Sequence, residues 1–479
     1  MRDENWQRLG SFFGGWFVRS DLEHRIIARK LIQQGASPWS HWDEAKIVHW
    51  LERFERGEIK RPAPIGKPQI PNLADSYGFP VYLADPFLVP GEPTAACGSY
   101  RAVPAGNPSP PGVGIRAIIP GQRLDKSDAS IVFVQLAPNG YTEPHEHPGD
   151  ELVFVIEGEL ELCFEHTGVR TRLSAGDYIV FYAERLHYGR NPSTKDTLVL
   201  VLRFFQFRSP SWRSVIRASR RNEGGQYPEA WRRILNDSEH RIMLEDEITW
   251  LVSLDRLGAC RIPPETIDAV ASQADHRPRE VLDRFGLARL LRRVAASEGW
   301  KPADLARNAA GVRMPQEFKE RLTRDLVADL HHGRPCGIKE DDLDSLAQVY
   351  HVSAMLLFDY LFPAERGAIV VRRGELVPMK SSLLPDGVEY GIPPRRLAIS
   401  DIAAFQLAMP GSGRTHENHH PGTELCVALH GQITVTIEGE KDPIKVQHGQ
   451  YVHFDSSKRH QVEGKNAEAF VVRFYEADV

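Results

Sequence analysis

The chain has 479 residues, with 59 Lys or Arg against 64 Asp or Glu, a formal net charge of −5 and 42% hydrophobic residues. That length gives room for about three domains, and so small a net charge supplies no global field toward nucleic acid or an anionic membrane. Five cysteines, Cys97, Cys163, Cys260, Cys336 and Cys426, have no paired spacing, which excludes a cysteine-based zinc module and points to a reducing, cytoplasmic setting.

Trp6, Phe12, Phe13, Trp16 and Phe17 crowd the first residues, but Arg8, Arg19 and several acidic residues interrupt the apolar run, so neither a signal peptide nor a membrane span is expected. Between roughly 20 and 60, Ile26, Ile27, Leu31, Ile32, Ile47, Trp50, Leu51 and Phe54 recur at helical spacing, and a Pro-rich linker runs from Arg61 to Pro71. Residues 1–75 therefore read as a helical segment with its linker. Residues 76–206 read as a compact antiparallel barrel, on alternating runs such as Leu152-Val153-Phe154-Val155-Ile156 between glycine turns.

Residues 207–284 read as a helical connector. Its basic tract, Arg208 to Arg233, interleaves arginines with Trp212, Tyr227 and Trp231. Such a tract can bind nucleic acid, an anion or another subunit; the favoured reading is an exposed helix whose aromatics cover the barrel while its arginines face water. Residues 285–362 turn to continuous helical patterning, and Asp344 to Ser353 resembles the closing helix and turn of a repressor-type helix-turn-helix. From Phe285 to Phe362 there are 11 basic and 11 acidic residues. A DNA-binding face normally draws on surplus positive charge, so the balance favours an architectural module over a DNA-binding one. Residues 363–479 read as a second barrel, with runs such as Ile433-Thr434-Val435-Thr436-Ile437.

The two barrels share a phrase. His-Pro-Gly-x-Glu-Leu occurs at His147 to Leu152 and at His420 to Leu425, each time followed 40 residues after its histidine by His187 or His460. Gly140/Gly413, Thr142/Thr415, Glu151/Glu424, Gly158/Gly431, Tyr178/Tyr451 and Phe181/Phe454 are all separated by the same 273 residues. Side chains two or four apart on a strand share a face, which lets His145, His147 and Glu151 point inward to meet His187 from a later strand. Neutral imidazole and carboxylate suit a first-row divalent metal such as iron, manganese, nickel or zinc.

His-x-His-x3-Glu, a glycine seven residues on, and Gly-x10-His together resemble the cupin superfamily. The resemblance implies an α+β fold with two jelly-roll barrels and helical segments before and between them. It makes His145, His147, Glu151 and His187 the metal ligands of the first barrel. In the second, Asn418 stands where His145 would be, leaving His420, Glu424 and His460, a facial triad of the kind found in non-haem Fe(II) oxygenases. His416 and His419 lie near enough in sequence to substitute, while His166, His430, His448 and His453 read as surface or structural. A helix-turn-helix followed by a triad cupin, duplicated in tandem, resembles the phosphonate-oxidising iron enzymes, among them hydroxypropylphosphonate epoxidase, hydroxyethylphosphonate dioxygenase and methylphosphonate synthase. That resemblance implies Fe(II) in one or both barrels, with Mn, Ni or Zn as alternatives, and a small polar or anionic substrate oxidised with O2. Arg190, Asn191, Asn418, Lys458 and Arg459 flank the cluster histidines as candidates to hold the substrate. Two other readings stay open: a ligand-sensing transcription regulator, and a redox-neutral isomerase or decarboxylase. No membrane partner is expected, a homo-oligomer is compatible with the sequence, and which barrel turns over substrate is left open.

Overall fold

The computed structural model describes residues 9–10, 13, 24–35, 38–55, 58–59, 70–77, 91–100, 114–118, 122–124, 127, 129–145, 147, 150–164, 168–183, 186–204, 290–291, 294–295, 299–300, 304–305, 307, 340–352, 356–357, 364–365, 368–379, 384–397, 400 and 402–474. The expected connector at 207–284 with its arginine tract, His166, Cys260, Cys336 and most of the helix-turn-helix-like region lie outside these residues. The chain divides into two units, Met1–Phe207 with Gly449–Phe454, and Arg208–His448 with Asp455–Val479.

The first unit begins with amphipathic helices, α1 (His24–Gln33), α2 (Glu44–Glu55) and α3 (Ile70–Tyr77). The Asp43 carboxylate accepts the Lys46 backbone N–H at 2.7 Å and so caps the start of α2. Ile27, Leu31, Ile47, Leu51 and Phe54 meet in one core, which Phe13 and Tyr77 join through aromatic contacts. Glu55 ties the helices together, lying 3.0 Å from His24 Nε2 and accepting the Tyr77 hydroxyl at 2.6 Å. Two expectations change here. Ile26, placed on the apolar face by its spacing, is 40% exposed. The linker does not run to Pro71, because Ile70 and Pro71 open α3; proline fits the first helical turn, where its missing N–H has no partner to lose.

The barrel of this unit is formed by β1 (Ala129–Leu136), β2 (Asp150–Glu157), β3 (Glu159–Phe164), β4 (Val169–Ser174), β5 (Tyr178–Tyr182), β6 (His187–Arg190) and β7 (Thr197–Phe204). β7 lies antiparallel between β1 and β2, with Val201 opposite both Val132 and Val153, and β2 continues to β5. In the facing sheet β3 lies between β4 and β6. Leu152, Val153, Phe154 and Val155 are all buried, so β2 is packed on both faces. In the same unit a strand at Ala95–Ser99 pairs antiparallel with residues 450–454, Ala95 opposite Phe454 and Ser99 opposite Gln450.

The second unit repeats the plan with longer strands: β8 (Ile402–Arg414), β9 (Thr423–Ile437), β10 (Ile444–Gln447) and β11 (His460–Phe474). β11 pairs antiparallel with both β8 and β9, and β9 with β10. The single strand β9 covers the ground that β2 and β3 cover in the first barrel, with its register shifting around His430 where the first copy breaks. A helix, α4 (Glu340–Val349), buries Leu343, Leu346, Ala347 and Val349 as the sequence spacing implies.

Candidate metal centres

In both barrels the cluster is assembled from a loop, a strand and a strand start. His145 and His147 do not sit within a strand, as simple alternation suggested, but in the segment entering β2. Backbone hydrogen bonds fix that segment: His145 and His187 exchange N–H and C=O at 3.0 and 2.9 Å, and His147 N–H donates to Ala183 C=O at 2.9 Å. The second copy uses the same pairs 273 residues on. Asn418 and His460 exchange bonds at 3.0 and 2.8 Å, and His420 N–H donates to Ser456 C=O at 2.8 Å.

These frames bring His145, His147, Glu151 and His187 together in the first barrel, and His420, Glu424 and His460 in the second. Within each group one ligand-type atom per residue lies within 4.8 Å of every other, and every member is buried. His147 Nε2 lies 2.6 Å from Glu151 Oε2, and His420 Nε2 lies 3.1 Å from Glu424 Oε2. Outer hydrogen bonds aim the rings. His145 Nδ1 donates to the Glu143 carbonyl at 2.8 Å and His460 Nδ1 to the Lys458 carbonyl at 2.9 Å, each two residues back in the chain. With the proton held at Nδ1, the Nε2 lone pair faces the cluster. Phe181 presses against His187 with ring centroids 4.9 Å apart.

The electrostatics match. Burial lowers the His147 imidazole to about 4 despite the opposing pull of Glu151, and lowers His420 to about 4 in the same way. Burial, then the neighbouring His187, holds His145 well below the usual histidine range, and burial also lowers His460. Burial works to raise the Glu151 and Glu424 carboxyls, but Arg203 and Arg473 and the adjoining histidines outweigh it and hold both well below the ordinary range. At neutral pH the imidazoles of His145, His147, His420 and His460 are neutral and both carboxylates ionised, the states in which each binds a cation. Neutral nitrogen and anionic oxygen donors, converging and pre-oriented, suit a divalent metal ion.

Reasoning on the 273-residue offset misses the arginines. Arg203 donates through Nε to Glu151 Oε2 at 3.0 Å, and Arg473 to Glu424 Oε2 at 2.8 Å. Their signal lies in Val201-Leu202-Arg203-Phe204 and Val471-Val472-Arg473-Phe474, separated by 270 residues because the loop before them is three residues shorter in the second copy. Also missed is Cys426, which stands where the first barrel has Val153 and donates to Glu424 Oε1 at 3.6 Å.

The flanking candidates fare differently. Asn191 spends its amide on the Leu136, Ala137 and Lys195 carbonyls and accepts from Ser193, so it staples a loop and has no donor left for a substrate. Arg190 is half-exposed and paired with Glu161 at 2.7 Å. Lys458 is exposed, and Arg459 is exposed and paired with Glu417 at 3.4 Å. Asn418 takes the backbone position of His145, its Nδ2 donating to the His416 carbonyl at 3.4 Å. Its Oδ1 is buried without a hydrogen-bond partner among the described residues. His416 and His419 stand outside the second cluster, His430 and His448 are exposed, and His453 is buried away from it.

The cupin-domain family profile matches residues 132–203 and 404–475, so each barrel is a cupin domain. No curated protein matches the sequence significantly. Similar solved structures include Streptomyces albus HEPD with 2-hydroxyethylphosphonate and Fe(II) bound, at 12% identity and a TM-score of 0.40, covering 99% of this chain and 93% of that one. A variant of Bacillus subtilis oxalate decarboxylase shares 15% identity with a TM-score of 0.39, covering 81% and 79%. The protein Ylba from E. coli shares 11% identity with a TM-score of 0.39, covering 82% and 95%. No helix among the described residues is long and apolar enough to cross a membrane.

Proposed function

We propose that this tandem cupin protein is a metal-dependent oxygenase that oxidises a small polar or anionic substrate with O2, with Fe(II) held by His420, Glu424 and His460 of the second barrel. The observation that carries the reading is the composition of that cluster: two buried histidines and one carboxylate converge, and the fourth position of the first barrel is filled by a shorter amide. A metal held by these three protein ligands would keep room for substrate and O2. Bound iron supplies Lewis acidity and one-electron chemistry toward oxygen.

The chain's own residues do the rest. His420 and His460 present neutral nitrogen lone pairs, Glu424 contributes the negative charge, and Arg473 keeps that carboxylate ionised and aimed. The surrounding apolar strand residues exclude bulk water, which strengthens every polar contact made inside. The first cluster, with His145 as an additional nitrogen donor, supports a second metal ion there, as iron, manganese, nickel or zinc.

Nitric oxide, a stand-in for O2, tests the reading without knowledge of the substrate. In a His147→Ala/Glu151→Ala chain reconstituted anaerobically with iron, nitric oxide should give the S = 3/2 resonance of a ferrous nitrosyl, and His420→Ala should abolish it. An iron-loaded second cluster that takes up no nitric oxide contradicts an oxygen-activating role and favours redox-neutral chemistry.

A further inference from the structure

Each cluster contains one carboxylate, and each carboxylate meets a buried guanidinium from the adjoining strand. Arg203 lies opposite Glu151 in the β2–β7 ladder, and Arg473 opposite Glu424 in the β9–β11 ladder. Both arginines are almost fully buried, at 4% and 3% exposure. The Arg473 guanidinium is also seated 4.7 Å over the Phe405 ring. Burying a charge is costly even when it is paired, and a fixed positive charge beside a cation site opposes cation binding. Nevertheless the arrangement occurs twice, in barrels that differ at neighbouring positions, Val153 against Cys426 and His145 against Asn418.

Charge counting supplies a reason. A histidine that ligates a metal does so as the neutral imidazole and adds no charge, and arginine, which stays protonated in proteins, cancels the one carboxylate it is paired with. A divalent cation in either cluster would then bring two charges that the cluster residues and their arginine, taken together, do not compensate. We infer that Arg203 and Arg473 are positioning residues that hold the cluster carboxylate by one oxygen and cancel its charge, so that each loaded cluster selects an anionic ligand. The inference rests on the metal-site reading above and gives the substrate's charge class: a carboxylate, phosphonate or comparable anion.

The test uses cobalt(II) as the metal and azide as the anion, followed by the visible ligand-field spectrum. The parent is the full chain carrying His147→Ala/Glu151→Ala, which leaves the second cluster alone. Arg473→Lys keeps the charge and Arg473→Met removes it. The expected result is cobalt bound in all of these chains, azide affinity within about threefold of the parent for Arg473→Lys, and affinity at least about tenfold weaker for Arg473→Met. Equal azide affinity in a cobalt-loaded Arg473→Met chain overturns the inference, as does a Lys variant as weak as the Met variant. Loss of cobalt from both variants also overturns it, because the arginine would then build the ligand set. If Arg473→Met does not fold, Arg203→Met in a chain carrying His420→Ala/Glu424→Ala bears the same expectation. A parent chain that takes up no cobalt overturns the metal-site reading itself, a result distinct from a loaded cluster indifferent to Arg473.

Discussion

The hydrogen bond from Asn418 Nδ2 to the His416 carbonyl spans 3.4 Å, and the bond from His145 Nδ1 to the Glu143 carbonyl spans 2.8 Å; both reach two residues back. The first barrel thus has an imidazole in its cluster where the second has, at the same backbone position, a shorter amide whose Oδ1 is buried. Asn418→His should complete a four-ligand set, hold iron at least as tightly as the native residue, and weaken nitric oxide binding by closing a position; iron content and nitrosyl EPR read the two effects separately. The buried rings also set a pH dependence for the metal-free protein. His147 and His420 titrate near 4 in the fold against an ordinary 6.5, so between those values the unfolded chain binds more protons than the native one. Stability from these rings is therefore fully present above about 6.5 and is lost as pH falls toward 4, on the order of a few kcal/mol for each ring. The depressed Glu151 and Glu424 act in the same direction at lower pH. Urea midpoints measured across this range should fall with acid, and the slope should flatten in a His147→Ala/His420→Ala chain.

Among the elements, the turn following Glu157 in the first barrel and its counterpart within β9 both require glycine. Gly158 and Gly431 adopt φ of +84° and +66°, and a Cβ at either would meet oxygen, Thr197 Oγ1 at 2.6 Å or the Asn466 carbonyl at 2.5 Å. Gly431→Ala should lower stability by about 1–3 kcal/mol from backbone strain with a further loss from the clash. Gly168→Ala, at φ +65° with nothing within 4 Å, bears the strain alone and should cost less in the same denaturant titration. These turns explain what the sequence made legible. Gly158, Gly431 and the cluster residues keep a constant 273-residue offset because turn, strand and ligand positions cannot slip independently in a two-residue repeat. Arg203 and Arg473 fall out of that register because the loop between β6 and β7 has no equivalent length in β11, although their strand positions opposite the glutamates are the same. Asn191, read from its nearness to His187, could be recognised as a loop staple only once the carbonyls of Leu136 and Ala137 were beside it. The α3 start was hidden by Pro71, which signals a linker in sequence and a first turn in the structure.

At the scale of the whole chain, the duplication places one cluster in each unit, and each cluster takes its residues from its own unit. The equal numbers of basic and acidic residues between Phe285 and Phe362 predict no salt-sensitive affinity for duplex DNA beyond weak non-specific binding. A nanomolar, sequence-selective footprint near physiological salt would turn the reading toward a ligand-sensing regulator. The central claim is that the repeat is a pair of independent metal centres, and iron per chain tests it most directly. After anaerobic reconstitution and removal of loosely held metal, the wild-type chain should retain one iron for each of the two clusters. His147→Ala/Glu151→Ala and His420→Ala/Glu424→Ala should each lose one equivalent and keep the other, and all four substitutions together should leave none. A wild-type chain without bound iron, or a pair of substitutions in one barrel that empties both, would contradict the account.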